Sequence, residues 1–214
     1  HSGDFSYDGV TSWTDKIDAT LPGIPYLGSQ GNHDVNHWGD IRTNTCSRPY
    51  DTFAEYFRCK MKDAGITPVF DNNKDRYATA YKGLELVFLS EQGISDENED
   101  ARFADDQLQG DNLLWSACSW HENGGGEDST RRAYMQVGGK NDETGTAHYV
   151  ACLNSGAIIA TAHEHSYART KTLIDIPNQI VDPLWPDPAN LRVKPGHSFV
   201  FHSGLGGNGI RNQE

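Results

Sequence analysis

Two short polar stretches, each closing an apolar run and lying far apart in the chain, constrain this sequence most: Gly31-Asn32-His33-Asp34 and Ala162-His163-Glu164-His165. Ile24–Leu27 empties into a Gly-rich loop, and Ala157–Thr161 empties into a His-x-His, so each reads as a strand followed by a loop. In open α/β sheets, ligand-binding groups gather where loops leave the carboxyl ends of strands. The two stretches therefore predict an α/β fold in which remote segments converge on one site.

The rest of the chain supplies the other elements of such a fold. Phe53, Tyr56, Phe57 and Met61 recur at helical spacing and predict a helix over Tyr50–Gly65. Arg76–Tyr81 and Leu84–Ser90 flank Lys82-Gly83 and read as a hairpin. A helix is expected over Ala101–Gln109, a strand over Leu113–Trp120 and a helix over Thr144–Leu153. Lys171–Ile176 and Ser198–Ser203 read as further strands joined by a Pro-rich connection, and Asn123–Arg132 as a mobile surface loop. Gly204-Leu-Gly206-Gly-Asn-Gly209 has a dinucleotide-type glycine spacing, but no helical pattern follows and it reads as a turn. No internal repeat or boundary divides the 214 residues, a length suited to one well-cored domain over 1–214.

A net charge of −12 argues against nucleic acid or an anionic membrane as partner. The same charge would repel a phosphorylated substrate unless bound cations reverse the sign locally. No run approaches the ~18 apolar residues of a membrane span. The four cysteines lack the paired spacing of a zinc site. Their even number suits two disulfides of a secreted protein, with Cys46–Cys59 and Cys118–Cys152 closing the shortest loops. Four buried free thiols are the alternative, and no Asn-x-Ser/Thr acceptor or signal-peptide core accompanies the secreted reading.

Candidate ligands stand at the expected places. Residues i and i+2 of an extended segment share a face, so His163 and His165 can present both imidazoles to one site. Asp4 and Tyr7, three residues apart in Gly3-Asp4-Phe5-Ser6-Tyr7, add a carboxylate and a phenol. Asn32 and His33 follow one predicted strand, and His121 another. His37, His148, His197 and His202 take no role at this level.

Read in order, Gly3-Asp4, Gly31-Asn32-His33, Ser119-Trp120-His121 and Ala162-His163-Glu164-His165-Ser166-Tyr167-Ala168-Arg169 resemble the metal-binding loops of the calcineurin-like metallophosphoesterases. Tyr7, Tyr167 and Arg169 point to the purple acid phosphatase branch. The resemblance implies a two-sheet α/β sandwich with mixed sheets, here lacking its first strand, because the family's first aspartate motif lies upstream of Gly-Asp and is absent from a chain that begins at His1. It implies two metal ions, iron with zinc, manganese or a second iron. Asp4 would bridge them; Tyr7 and His165 would bind the first, and Asn32, His121 and His163 the second. His33 would serve the substrate from beside the metals as the catalytic histidine. Ala162 replaces the family's usual glycine, and Asp34 stands where the branch more often carries Glu.

The implied activity is hydrolysis of phosphate monoesters, with a metal-held hydroxide as nucleophile and a small phosphorylated molecule as substrate. The alternative expectation is a non-catalytic binding or structural protein on the same scaffold, its metal site degraded by loss of the first aspartate.

Overall fold

The computed structural model describes residues 1–90, 97–110, 112–124, 143–206 and 209–210. Its described residues form a mixed α/β fold with four α-helices and a seven-stranded mixed sheet. The hairpin is as expected: β2 (Tyr77–Tyr81) pairs antiparallel with β3 (Leu84–Phe88). Its turn residues Lys82 and Gly83 both have positive φ, the requirement of a two-residue turn that follows the sheet twist. The short β1 (Val69–Phe70) flanks β2 at one edge.

Three parallel pairings then carry the sheet toward its other edge. β3 pairs with β4 (Trp115–Ser119), β4 with β5 (Ile158–Thr161), and β5 with β9 (Val200–Ser203). β6 (Tyr167–Arg169) closes the far edge antiparallel to β9. Between them, β7 (Leu173–Asp175) and β8 (Ile180–Val181) form a separate two-stranded ribbon. Parallel pairing matters here, because it brings the carboxyl ends of β4, β5 and β9 to the same side of the molecule.

Side chains alternate across the sheet, so neighbouring residues feed different cores. Val87, Cys118, Ile159 and Val200 face one way. They pack under α3 (Glu97–Leu108) and α4 (Ala147–Ser155), whose Phe103, Ala104, Tyr149 and Cys152 complete that core. Phe88 faces the other way, into an aromatic cluster built from Phe5, Trp38, Phe53, Tyr56 and Phe57. That cluster belongs to the N-terminal segment, α1 (Val10–Thr20) and α2 (Phe53–Asp63). Thr52 caps α2 by accepting the Glu55 N–H at 3.2 Å, and the buried Phe53, Tyr56, Phe57 and Met61 make the stripe read from spacing.

The second core covers only part of its face. Over β4, β5 and β9 the same face carries Ala117, Ala160 and Phe201, which are half-buried and line a cavity of about 530 Å³. Parallel strands are normally covered on both faces; here one face opens beneath the strand ends.

Several expectations shift. Among the described residues Ile24–Leu27 has no ladder partner, and Ser29 alone of this stretch bridges, in parallel, to Ser2. Beside the large sheet, the described residues form only the two-stranded β7–β8 ribbon and isolated bridges, and no second large sheet. Residues 125–132 of the expected loop lie outside the described residues. The cysteines pair as Cys46–Cys59 and Cys118–Cys152, chemistry that suits an oxidising setting. No described helix is long and apolar enough to cross a membrane.

Candidate metal centre

Strand pairing explains why His121 and His163 meet. Ser119 of β4 pairs with Ala160 of β5, and the Ala162 N–H donates to the His121 carbonyl at 3.0 Å. Each histidine lies just beyond its strand, so the parallel register places their rings 5.1 Å apart, nearly perpendicular. His163 Nδ1 stands 3.3 Å from His121 Nε2.

Asp4 reaches the same point from the N-terminal segment. Its Oδ2 lies 3.2 Å from His121 Nε2. The backbone is shaped for this: Asp4 has φ +56, a left-handed conformation that non-glycine residues adopt at a cost. Gly3 and Gly31 let the two segments touch, since a Cβ on Gly31 would stand 2.4 Å from Asp4 Oδ1. Asp34 closes the arrangement by accepting the N–H groups of Asp4, Gly31 and Phe5.

The remaining imidazole nitrogens are occupied by outer partners. His121 Nδ1–H donates to the Ser2 carbonyl at 2.6 Å, and His165 Nδ1–H to the Gly209 carbonyl at 2.8 Å. His163 Nε2 faces Glu143 Oε2 at 3.4 Å. This pattern matters for protonation: a neutral imidazole that donates from one nitrogen keeps a lone pair on the other. With Nδ1 donating outward, His121 can turn the lone pair of Nε2, and His163 that of Nδ1, toward Asp4 Oδ2 once a cation takes the place of the His121–Asp4 hydrogen bond.

The spacing agrees. Two donors ~2.1 Å from one ion stand roughly 3.0–3.4 Å apart at octahedral to tetrahedral angles. The observed separations are 3.2 and 3.3 Å. Outer acceptors on ligating histidines are also the usual way proteins fix the ligating tautomer. The residues present therefore fit a metal ion on Asp4, His121 and His163. Glu122, Glu143 and His163 form a neighbouring donor group.

Electrostatics follow the same geometry. Burial would raise the Asp4 carboxyl, but the hydrogen bond from His121 and the His33 N–H outweigh it and hold it below its ordinary value. Burial and the Asp4 charge push the Tyr7 phenol up, so tyrosinate needs a cation beside it. Burial raises Asp34 to about 6, against the pull of its backbone donors.

Asp4, Tyr7, His121, His163 and His165 all line the one cavity. His33 is exposed and does not line that cavity; its ring is 4.7 Å from that of Tyr7, which does, and its N–H donates to Asp4 Oδ1 at 3.0 Å. Asn32 is exposed beside Gly31. Sequence reasoning does not find Glu143 or the structural role of Asp34. Asp34 lies inside a stretch already singled out, whereas nothing around Glu143 signals its meeting with His163.

No protein-family model matches the chain, and no curated protein matches it.

Proposed function

We propose that this chain is a metal-dependent phosphohydrolase of the calcineurin-like type, within its purple acid phosphatase-like branch, acting on small phosphate monoesters. One observation carries the reading: Asp4 Oδ2, His121 Nε2 and His163 Nδ1 converge at ligand spacing. The proposed ligands extend that set, with Asn32 joining His121 and His163, Tyr7 and His165 holding a second ion, and Asp4 between the two. Iron with zinc, manganese or a second iron suits a donor set of imidazole, carboxylate, amide and phenolate.

Cations held there would polarise phosphoryl oxygens and lower the pKa of a water that attacks phosphorus. The protein's own residues do the rest. Asp4 and the imidazoles orient the centre, and its positive charge admits an anionic substrate to an otherwise acidic molecule. His33, exposed and 4.7 Å from the ring of the cavity-lining Tyr7, would give a proton to the departing alkoxide.

A second reading, a metal-binding module without turnover, has one observation in its favour. His165 lies outside the Asp4–His121–His163 donor group, and its Nδ1 is taken by the Gly209 carbonyl.

Elemental analysis and hydrolysis of p-nitrophenyl phosphate by the purified protein test both. About two metals per chain with metal-dependent turnover, lost in His163→Ala and Asn32→Ala, supports the hydrolase. Bound metal without turnover on any monoester supports the module, and absence of bound metal after loading overturns both.

A further inference from the structure

The stretch Ala162–Ser166 has two sides. His163 and His165 line the cavity, while Glu164 and Ser166 are wholly buried on the other side. Beneath them, at β9, lies His202, also wholly buried. Its Nε2 is 2.7 Å from Ser166 Oγ. Burial lowers the His202 pKa, while the negative charge of Glu164 works to raise it. Gly204, two residues after His202, donates its N–H to the Ser166 carbonyl at 3.0 Å. A Cβ on Gly204 would stand 2.0 Å from the Glu164 carbonyl oxygen, so the β9 backbone is in direct contact with the loop.

The near end of the loop is pinned as well. Asn123 Nδ2 donates to the Ala162 carbonyl at 2.9 Å, and its Oδ1 accepts the Thr161 hydroxyl at 2.6 Å. The two histidines thus ride on a segment fixed at Ala162 and at Ser166.

A carboxylate, a hydroxyl and an imidazole taken together from water are costly to bury, and apolar residues of similar volume would hold a core at least as well. The Ser166–His202 hydrogen bond has direction, which apolar packing lacks. We propose that His202 is a positioning residue for the metal centre: with Ser166 and Glu164 it forms a buried polar seat that fixes how His163 and His165 present their nitrogens, and so sets cation affinity. The inference rests on the metal-centre reading above.

Cobalt(II) serves as the probe, because its visible spectrum reports ligand geometry independently of turnover. In the full chain, His202→Leu and Ser166→Ala are expected to weaken cobalt binding by about ten- to hundred-fold and to alter the spectrum, as loss of outer-sphere partners does elsewhere. His202→Gln, which keeps a hydrogen-bonding group within reach of Ser166, should recover most of the affinity. The metal-free melting temperature of His202→Leu should equal or exceed that of wild type, whereas a purely structural histidine would lower it without touching the spectrum.

Unchanged cobalt affinity and spectrum in folded Ser166→Ala and His202→Leu overturn the inference. Should the leucine variant fail to fold, unchanged binding in Ser166→Ala alone does so. Wild-type protein that binds no cobalt overturns the metal-centre reading, and this inference with it.

Discussion

Asp34 holds Asp4 by its backbone: Asp34 Oδ2 accepts the Asp4 N–H at 2.7 Å. The same oxygen accepts the Gly31 N–H at 2.9 Å, and Oδ1 accepts the Phe5 N–H at 3.1 Å. One short side chain therefore stitches together two segments that meet nowhere else through a regular ladder, and it does so where Asp4 turns through a left-handed conformation. Buried backbone donors are rarely left unmet. Asp34→Ala abandons three of them, and we expect a loss of about 3 kcal/mol or more in urea unfolding, together with loss of bound metal. Asp34→Asn retains one acceptor oxygen and should fall between. Equal stability of the alanine variant and wild type would show that the stitch contributes nothing.

Gly31 tests the same junction from the other side. Added bulk there meets Asp4 Oδ1 and the Asp4 backbone nitrogen, the latter at 2.3 Å, so the carboxylate must move. Gly31→Ala should cost at least about tenfold in metal affinity, on the scale seen when a ligand's orientation is disturbed. Titration of zinc into the metal-free variant measures it, and wild-type affinity would mean that the approach of the two segments does not set the position of Asp4.

Tyr7 makes a prediction about colour. Its phenol is pushed up by burial and by Asp4, so without a cation it stays protonated near neutral pH. Loading with ferric iron should produce a visible tyrosinate band that Tyr7→Phe abolishes while the iron stays bound. A band of full strength in the phenylalanine variant would remove Tyr7 from the ligand set.

The site was more legible than its surroundings, for a physical reason. Imidazoles at strand ends stand out by type and position, and the meeting of His121 and His163 was readable because parallel strands bring such ends together. The Lys82-Gly83 turn was legible from chain chemistry, and the cysteine pairing from loop length. Ile24–Leu27 misled because an apolar run shows burial without showing a partner; its half-buried Tyr26 and Leu27 pack on the aromatic cluster while the backbone finds no ladder. The helix over Val10–Thr20 carries its signal in Val10, Trp13 and Ile17, which recur at helical spacing and pack on the aromatic cluster, but no cap marks its start, since Gly9 offers no side chain. Asp34, Glu143 and His202 act through contacts across long separations, and spacing along a chain carries no record of these.

The two disulfides differ in what they close. Cys118–Cys152 ties β4 to α4 across a sequence separation of 34, and Cys46–Cys59 spans 13. Chain-entropy arguments give about 4 kcal/mol for the longer loop and about 3 kcal/mol for the shorter. Replacing Cys118 and Cys152 together by Ala should thus lower unfolding free energy more than replacing Cys46 and Cys59. The opposite order would mean that packing losses around Cys59, rather than loop closure, dominate.

His148 carries the acid sensitivity of the helical core. It is fully buried, its ring meets Trp120 edge-on at 4.5 Å, and neither ring nitrogen has a hydrogen-bond partner among the described residues. Burial lowers its pKa from 6.5 to about 3, so the folded protein keeps it neutral while the unfolded chain binds a proton below pH 6.5. The sign is then fixed. The unfolded state holds more protons between pH 6.5 and 3, so the stability due to neutral His148 is complete above pH 6.5 and drains as the pH falls through that window. The slope is about 1.4 kcal/mol per pH unit from this one group. His148→Phe keeps an aromatic ring against Trp120 and removes the titration. Its unfolding free energy should therefore match or exceed wild type at pH 7 and lose that much less per unit below pH 6. Parallel acid limbs in the two proteins would show that His148 is protonated, or the core already open, in the native state.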